Sequence, residues 1–243
     1  DMIATGHYAR NQESGIRNQE SKYKLLTGVD TNKDQSYFLW TLTQEQLSHT
    51  LFPVGGYTKP EVREIARKFR LPNAERKESQ GLCFIGKMDM KEFLKHYIKE
   101  KKGDVLNEKK EMIGYHDGAT FLTIGQRHGF TITKKTPEDS PLYIIAKDIK
   151  KNTITVAPRG EKESGLRKEV ALKNTHWISG APPYLRKTYQ ARARYRQPLQ
   201  NVKIKMQNAK CTVAFREPQR AISPGQSLVL HDRDECLGGG IIA

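Results

Sequence analysis

Between Thr43 and Ile98 the apolar positions of this chain recur every three to four residues, and beyond Lys102 they recur every second residue. Three helix starts in the first region carry capping signatures. Thr43 with Gln46 opens the first, and Thr58 with Pro60 and Glu61 opens a second whose Val62, Ile65, Ala66 and Phe69 share one face. Asp89 with Glu92 opens a third, with Phe93, Leu94, Tyr97 and Ile98 as its apolar stripe. Two short strands come earlier: Asp1 to Ala4, read as buried and ending at Thr5-Gly6-His7, and Tyr23 to Leu26. The first hundred residues therefore read as α/β. Three amphipathic helices with so little strand to pack on point to further sheet upstream of Asp1, and the chain reads as the C-terminal part of something longer.

Beyond Lys102 the pattern is short strands and turns. Tyr143 to Ala146 and Thr153 to Ala157 flank Asp148 to Asn152 as a hairpin. Ala191, Ala193 and Tyr195 alternate with Arg192, Arg194 and Arg196, and Val202, Ile204 and Met206 alternate with Lys203 and Lys205. A turn at 207–210 leads into Cys211, Val213 and Phe215, and Ser227 to Leu230 and Cys236 to Ile242 complete the set. Five or six strands at this spacing predict a small barrel or sandwich.

Charge sharpens this. Of 243 residues, 42 are Lys or Arg and 27 Asp or Glu, a formal net charge of +15. Most of the excess lies between Arg159 and Arg220, where basic residues outnumber Glu161, Glu163, Glu169 and Glu217 almost fourfold. A surface of that sign fits a polyanion, nucleic acid above all, or a plain solvated face. No apolar run approaches the roughly 18 residues of a membrane span. Three cysteines without a CxxC exclude a disulfide scaffold, disfavour a cysteine zinc site and fit a reducing, cytoplasmic setting.

Several stretches offer chemistry, each beside a plainer reading. Gly6 and His7 follow a strand, where an α/β sheet binds ligands, or form an ordinary turn. Lys33, Asp34 and Gln35 present a cation, an acceptor and an amide ahead of Tyr37 to Trp40, or simply cap a helix there. Cys83 lies between Gly81 and Gly86 with Lys77 and Lys87 near it in sequence, the setting of a nucleophile or sulfur carrier, or else is a small buried hydrophobe. Cys211 and Cys236 read as core, and Gly238 to Gly240 leave no room for the helix a phosphate loop needs. Arg192, Arg194 and Arg196 read as one strand face with Tyr195 on the other, guanidinium forks for phosphate beside a ring for an unpaired base.

The stretches ATGHYAR (4–10), NKDQSYFLW (32–40), LFPVGG (51–56), GLCFIG (81–86), TIGQRHG (123–129), ARYRQ (193–197), SPGQS (223–227) and ECLGGGII (235–242) together resemble the bacterial tRNA-specific 2-thiouridylases, the MnmA family. The resemblance implies a tRNA-uridine 2-sulfurtransferase that adenylates the C2 carbonyl of the wobble uridine with ATP and its magnesium ion, then delivers sulfur from a cysteine persulfide. It implies that Cys83 carries the persulfide, that Gly6 contacts ATP, and that His7, Lys33, Asp34, Gln35, Arg194, Tyr195 and Gln226 contact tRNA. No resident metal is expected. Its partners would be the tRNA anticodon arm and a sulfur-relay protein or cysteine desulfurase. The implied architecture is a part of a PP-loop domain of the adenine nucleotide alpha hydrolase type (1–98), a small mainly-β central domain (99–165) and a basic, tRNA-binding C-terminal β-barrel (166–243). The family's SGGxDS loop, catalytic aspartate and the second cysteine that forms a disulfide with the persulfide cysteine have no counterpart in this sequence, so the chain by itself is expected not to activate uridine. Read from residues alone, a non-catalytic RNA-binding barrel and a PP-loop ATPase acting on a small molecule stay open.

Overall fold

A computed structural model describes residues 1–14, 22–76, 90–133, 140–158, 166–208, 210–220 and 222–243. In chain order its strands are β1 (Ile3–Ala4), β2 (Ala9–Ser14), β3 (Lys22–Thr27), β4 (Thr50–Leu51), β5 (Gly103–Leu106), β6 (Met112–His116), β7 (Phe130–Ile132), β8 (Leu142–Asp148) and β9 (Thr153–Pro158). There follow β10 (Arg167–Trp177), β11 (Thr188–Arg192), β12 (Gln200–Gln207), β13 (Lys210–Gln219), β14 (Ser227–Asp232) and β15 (Glu235–Ile242). The helices are α1 (Gln44–Ser48), α2 (Lys59–Lys68) and α3 (Met90–Lys95). Two compact units result, one of Asp1–Arg76 with Lys168–Pro218 and Pro224–Ala243, the other of Lys77–Arg167 with Gln219–Ser223.

In the first unit, strands β10-β13-β12-β11-β14-β15 are hydrogen-bonded in that order, and β15 pairs back onto β10 to close a six-stranded barrel. The alternation read from the sequence decides which way each residue faces. Val202 and Ile204 of β12 and Cys211, Val213 and Phe215 of β13 are buried, while Lys203 and Lys205 between them are exposed. The end of β15 pairs with β10, and its start, Glu235 and Cys236, pairs with Leu26 and Leu25 of β3. The β2–β3 hairpin, from the first thirty residues, thus extends the barrel wall, which no pattern within 1–98 discloses. A second core of Ala9, Leu25, Tyr37, Trp40, Leu47, Ile178, Val229 and Cys236 forms there.

The glycines of β15 answer to packing. Gly238 has φ +121°, and a Cβ there would lie 2.2 Å from the His176 carbonyl oxygen; one on Gly239 would lie 2.2 Å from that of Leu228. Both clashes are with backbone on either side of the strand. Gly238→Ala is therefore expected to cost about 3 kcal/mol of stability, read as a lower urea midpoint. Gly6→Ala, where nothing lies within 4 Å of the built Cβ, should change stability by less than about 0.5 kcal/mol.

Two of the three predicted capping signatures are present as capping boxes. Thr43 and Gln46 exchange side-chain to backbone bonds at α1, and at α2 the Thr58 N–H and hydroxyl donate to Glu61 at 2.6 and 2.8 Å. Those two bonds hold the Glu61 carboxyl below its usual value. Gln44 ties α1 down, accepting from Tyr23 N–H and donating to the Tyr23 and Ile178 carbonyls.

Four expectations need correction. Strand β1 is exposed, with Ile3 68% accessible; it pairs in parallel with β4 over two residues only, and an apolar run does not specify its own cover. The apolar face of α2 contains no buried residue, and its Phe69 is exposed. Helix α3 ends at Lys95, so Tyr97 and Ile98 lie beyond it, and its predicted Asp89 cap lies outside the described residues. Tyr37 to Trp40 begins no α-helix: Ser36–Phe38 is a single 3-10 turn.

The second unit is a five-stranded sheet in the order β7-β6-β5-β9-β8, antiparallel except for the β5–β9 pair. Its core is Val105, Ala119, Leu122, Ile144, Ile154 and Val156. The predicted β8–β9 hairpin turns at Asn152, whose φ of +53° suits asparagine and whose side chain donates to the Lys101 and Lys102 carbonyls and accepts from Ala119 N–H.

Candidate nucleic-acid interface

Three stretches far apart in sequence meet on the first unit: the loop 28–38, the turn 193–197 after β11, and Gln226–Ser227 at the start of β14. Tyr37 joins them. Its hydroxyl donates to the Ser227 carbonyl at 2.8 Å and lies 3.4 Å from that of Ala193. Trp40 Nε1 donates to the Ser227 hydroxyl at 3.1 Å. With Tyr37 and Trp40 buried in the second core, the loop is anchored by large apolar side chains whose polar atoms are all engaged.

The anchor leaves Phe38 outward, 55% exposed, its ring centroid 4.6 Å from that of Tyr195. Arg196 extends over the other ring, with Cζ 5.3 Å from the Tyr195 centroid. Arg194 is half-buried beside them and donates from Nε to Gln226 Oε1 at 3.2 Å. Burial lowers the Arg194 guanidinium from its ordinary value, and nearby Tyr37 partly offsets this. The result is two rings held in contact at the surface, with guanidinium groups alongside.

This arrangement corrects the flat arginine face. Strand β11 ends at Arg192; the chain then turns, with Arg196 at φ +62° and Gln197 N–H donating to the Arg194 carbonyl. Period-two alternation therefore stops at 192. Arg192 is only 12% accessible in its side chain and faces inward to Asp34, while Tyr195 and Arg196 lie together instead of on opposite faces.

The loop 28–38 is organised from within. Asp34 is 3% exposed; Oδ1 accepts from the N–H groups of Gly28 and Ser36, and Oδ2 from the Ser36 hydroxyl. Its carboxylate thus shapes the loop and faces away from solvent. Gln35 ties the loop to the segment after β1: its Oε1 accepts from Tyr8 N–H at 3.0 Å and its N–H donates to the Tyr8 carbonyl at 2.8 Å. That brings His7 and Gly6 beside the loop in the chain. His7 Nδ1 lies 2.7 Å from the Thr5 hydroxyl, and Gly6 is exposed with open space where a Cβ would stand. Lys59 Nζ sits 5.7 Å from the Tyr8 ring centroid.

Arg194 and Gln226 are thus bonded to each other and Tyr195 lies against Phe38 of the loop that carries Lys33, Asp34 and Gln35, with His7 one residue from the Tyr8–Gln35 link and Asp34 buried within the loop. Cys83 and its flanking lysines Lys77 and Lys87 lie outside the described residues. Cys211 and Cys236 are buried and free; burial pushes their thiols up to about 11 and about 12. Among the described residues no disulfide is present. Sequence reasoning missed Phe38 and Lys59. Phe38 carried a signal, an aromatic at the exposed phase of an apolar run, but only the fold shows that Tyr195 lies against it.

Residues 1–87 match the family model described as a tRNA methyl transferase HUP domain, 91–158 the tRNA methyl transferase PRC-barrel domain, and 167–242 the aminomethyltransferase beta-barrel domain. Proteins named tRNA-specific 2-thiouridylase MnmA are similar throughout. That of Nitrosococcus oceani is 46% identical over 99% of this chain and 65% of its own length. Those of Nitrosomonas europaea and Streptococcus thermophilus are each 42% identical over all of this chain, and over 66% and 64% of their own lengths. The chain thus spans just under two thirds of the length of these relatives. On this likeness along its whole length, the chain belongs to the family of the tRNA-specific 2-thiouridylases.

Proposed function

We propose that this chain supplies the tRNA-binding surface and the sulfur-carrying cysteine of a tRNA-uridine 2-sulfurtransferase acting on the wobble uridine. The observation that carries the reading is the ring pair of exposed Phe38 and half-buried Tyr195, with Arg194 and Arg196 beside it. Rings at a surface stack on unpaired bases, and guanidinium groups neutralise the phosphates that link them. An anticodon loop offers both. Lys33 adds a cation from the neighbouring loop, while Gln35 and Gln226 hold the segments that carry these groups.

In this reading Cys83 delivers the sulfur: the outer sulfur of its persulfide bonds to C2 of the uridine, and the activated oxygen leaves. ATP with its magnesium ion, when bound, supplies the adenylyl group that makes that oxygen a leaving group. Gly6 fits such a contact, since its exposed backbone has open space in place of a side chain. The second thiol, which bonds to Cys83 Sγ as the Cys83 S–S bond breaks and the 2-thiouridine is released, the external thiol that reduces the resulting disulfide, and the relay protein or desulfurase that reloads Cys83 come from outside this sequence. So does the SGGxDS loop, and this chain alone is expected to bind tRNA without thiolating it. A cytoplasmic setting is part of the proposal; among the described residues no helix is long and apolar enough to cross a membrane.

RNA binding should weaken steeply as salt rises from about 50 to 200 mM, through counterion release. Arg196→Glu is expected to cost about 1–3 kcal/mol and to lower the slope of log K against log salt. Filter binding with an anticodon stem-loop checks both, and affinity indifferent to salt would remove the nucleic-acid reading.

A further inference from the structure

We infer that Arg192 is a positioning residue for RNA binding: paired with Asp34 beneath the surface, it fixes the loop 28–38 against the barrel so that Lys33, Phe38 and Tyr195 present one face. The inference rests on the proposal that this face binds RNA. It differs from the role that likeness alone assigns to Asp34, which is direct contact with tRNA.

The geometry is specific. Arg192 Nη1 lies 3.7 Å from Asp34 Oδ2, with side-chain exposures of 12% and 3%. Among the described residues Arg192 pairs with no other carboxylate, and its buried Nε has no hydrogen-bond partner there. His231 lies close enough for the Arg192 charge to act on it. Burial first, and that charge second, push its imidazole down to about 3, so His231 is neutral and adds no second positive charge beside the guanidinium. A charge pair in such a place adds little stability compared with apolar replacements, because removing both ions from water offsets their attraction. What it does add is a fixed register between two surfaces. Arg192 is the last residue of β11, immediately before the turn that carries Arg194, Tyr195 and Arg196. Asp34 is the residue between Lys33 and Gln35, and its other oxygen already holds Gly28 and Ser36. The pair therefore couples the base of one binding segment directly to the base of the other.

The test uses this chain, an RNA anticodon stem-loop with uridine at the wobble position, and the thermal midpoint as a separate reading. Arg192→Met alone strands a buried carboxylate and should lower the midpoint. The double variant Arg192→Met/Asp34→Asn removes both charges and should recover most of that loss. If the pair positions the surface, the double variant still binds RNA about tenfold more weakly, at a temperature where it is fully folded. Its salt slope stays that of the wild type, because Arg192 touches no phosphate. Arg192→Lys, which keeps charge but not the planar reach, should fall between, and it carries the test if the methionine variants fail to fold. Wild-type affinity in the double variant, or in Arg192→Lys if that alone folds, with Tyr195→Ala still impaired, overturns the inference and leaves the proposed function standing. A salt slope reduced by about one, as for a direct phosphate contact, overturns it too. If the wild-type chain itself does not bind the stem-loop, the proposed function fails, and this inference with it.

Discussion

Replacing Cys83 by serine is expected to reduce sulfur transfer to tRNA by at least about a thousandfold in the complete protein, while leaving RNA binding unchanged. A serine hydroxyl forms no persulfide, so no sulfur is delivered however well the uridine is held. Neither remaining cysteine substitutes. Cys211 is buried in β13, and Cys236 is fully enclosed near the Ser36 carbonyl. The thiolate is the reactive form, and thiols pushed up to about 11 and about 12 supply almost none of it near neutral pH. Cys211→Ser and Cys236→Ser should therefore retain sulfur transfer wherever they fold. Mass analysis of tRNA nucleosides reads the product directly, and thiolation surviving Cys83→Ser would move sulfur delivery to another residue. The same variant separates an enzyme from a plain binding module, for which Cys83→Ser would be silent in every assay.

What the sequence discloses and what it withholds follow from the range of the interactions involved. Alternation is local, and β12 and β13 are legible because each buries one face and exposes the other, whereas β14, buried at four successive residues, reads instead as an apolar run. Capping boxes are local too, which is why Thr43 and Thr58 open helices where expected. Cover is not local. The apolar character of Ile3 and Phe69 is plain from the sequence, but nothing within a strand or helix says whether another element lies upon it. Neither is pairing between distant segments. That Leu25 and Leu26 line up with Cys236 and Glu235 follows from barrel closure, a property of the whole chain.

The candidate site divides the same way. Residue chemistry singled out Lys33, Gln35, Arg194 and Tyr195, the resemblance added Gln226, and the fold brings the loop 28–38, the turn 193–197 and Gln226 together. It could not assign direction. Asp34 and Arg192 are as polar as their neighbours, yet each faces inward, because the loop needs an acceptor for its own amides and β11 ends just there. Polarity marks a residue as wanting a partner; only the fold decides whether that partner is solvent, ligand or another side chain.

Tyr195→Ala is expected to weaken binding of the anticodon stem-loop by about 1–3 kcal/mol, the usual loss of one base–aromatic stack. Tyr195 lies against Phe38, Tyr37 and Arg196, so its removal also frees Phe38 and Arg196 to move. Phe38→Ala should cost a similar amount, and the double variant less than the sum of the two, because the rings in contact form one stacking surface. Phe38 is exposed, so its loss should hardly alter the urea midpoint; Tyr37→Ala, which empties part of the second core and frees the Ser227 carbonyl, should cost about 3–5 kcal/mol of stability, read as a lower midpoint. Stacking and phosphate contact also differ in their salt dependence. The aromatic variants should shift the line of log K against log salt downward without changing its slope, whereas Arg196→Glu changes the slope itself. Tyr195→Phe, which keeps the ring and loses only the hydroxyl, should bind nearly as the wild type does. A loss as large in Tyr195→Phe as in Tyr195→Ala would mean that the hydroxyl, through hydrogen bonding, and not the ring face, holds the RNA.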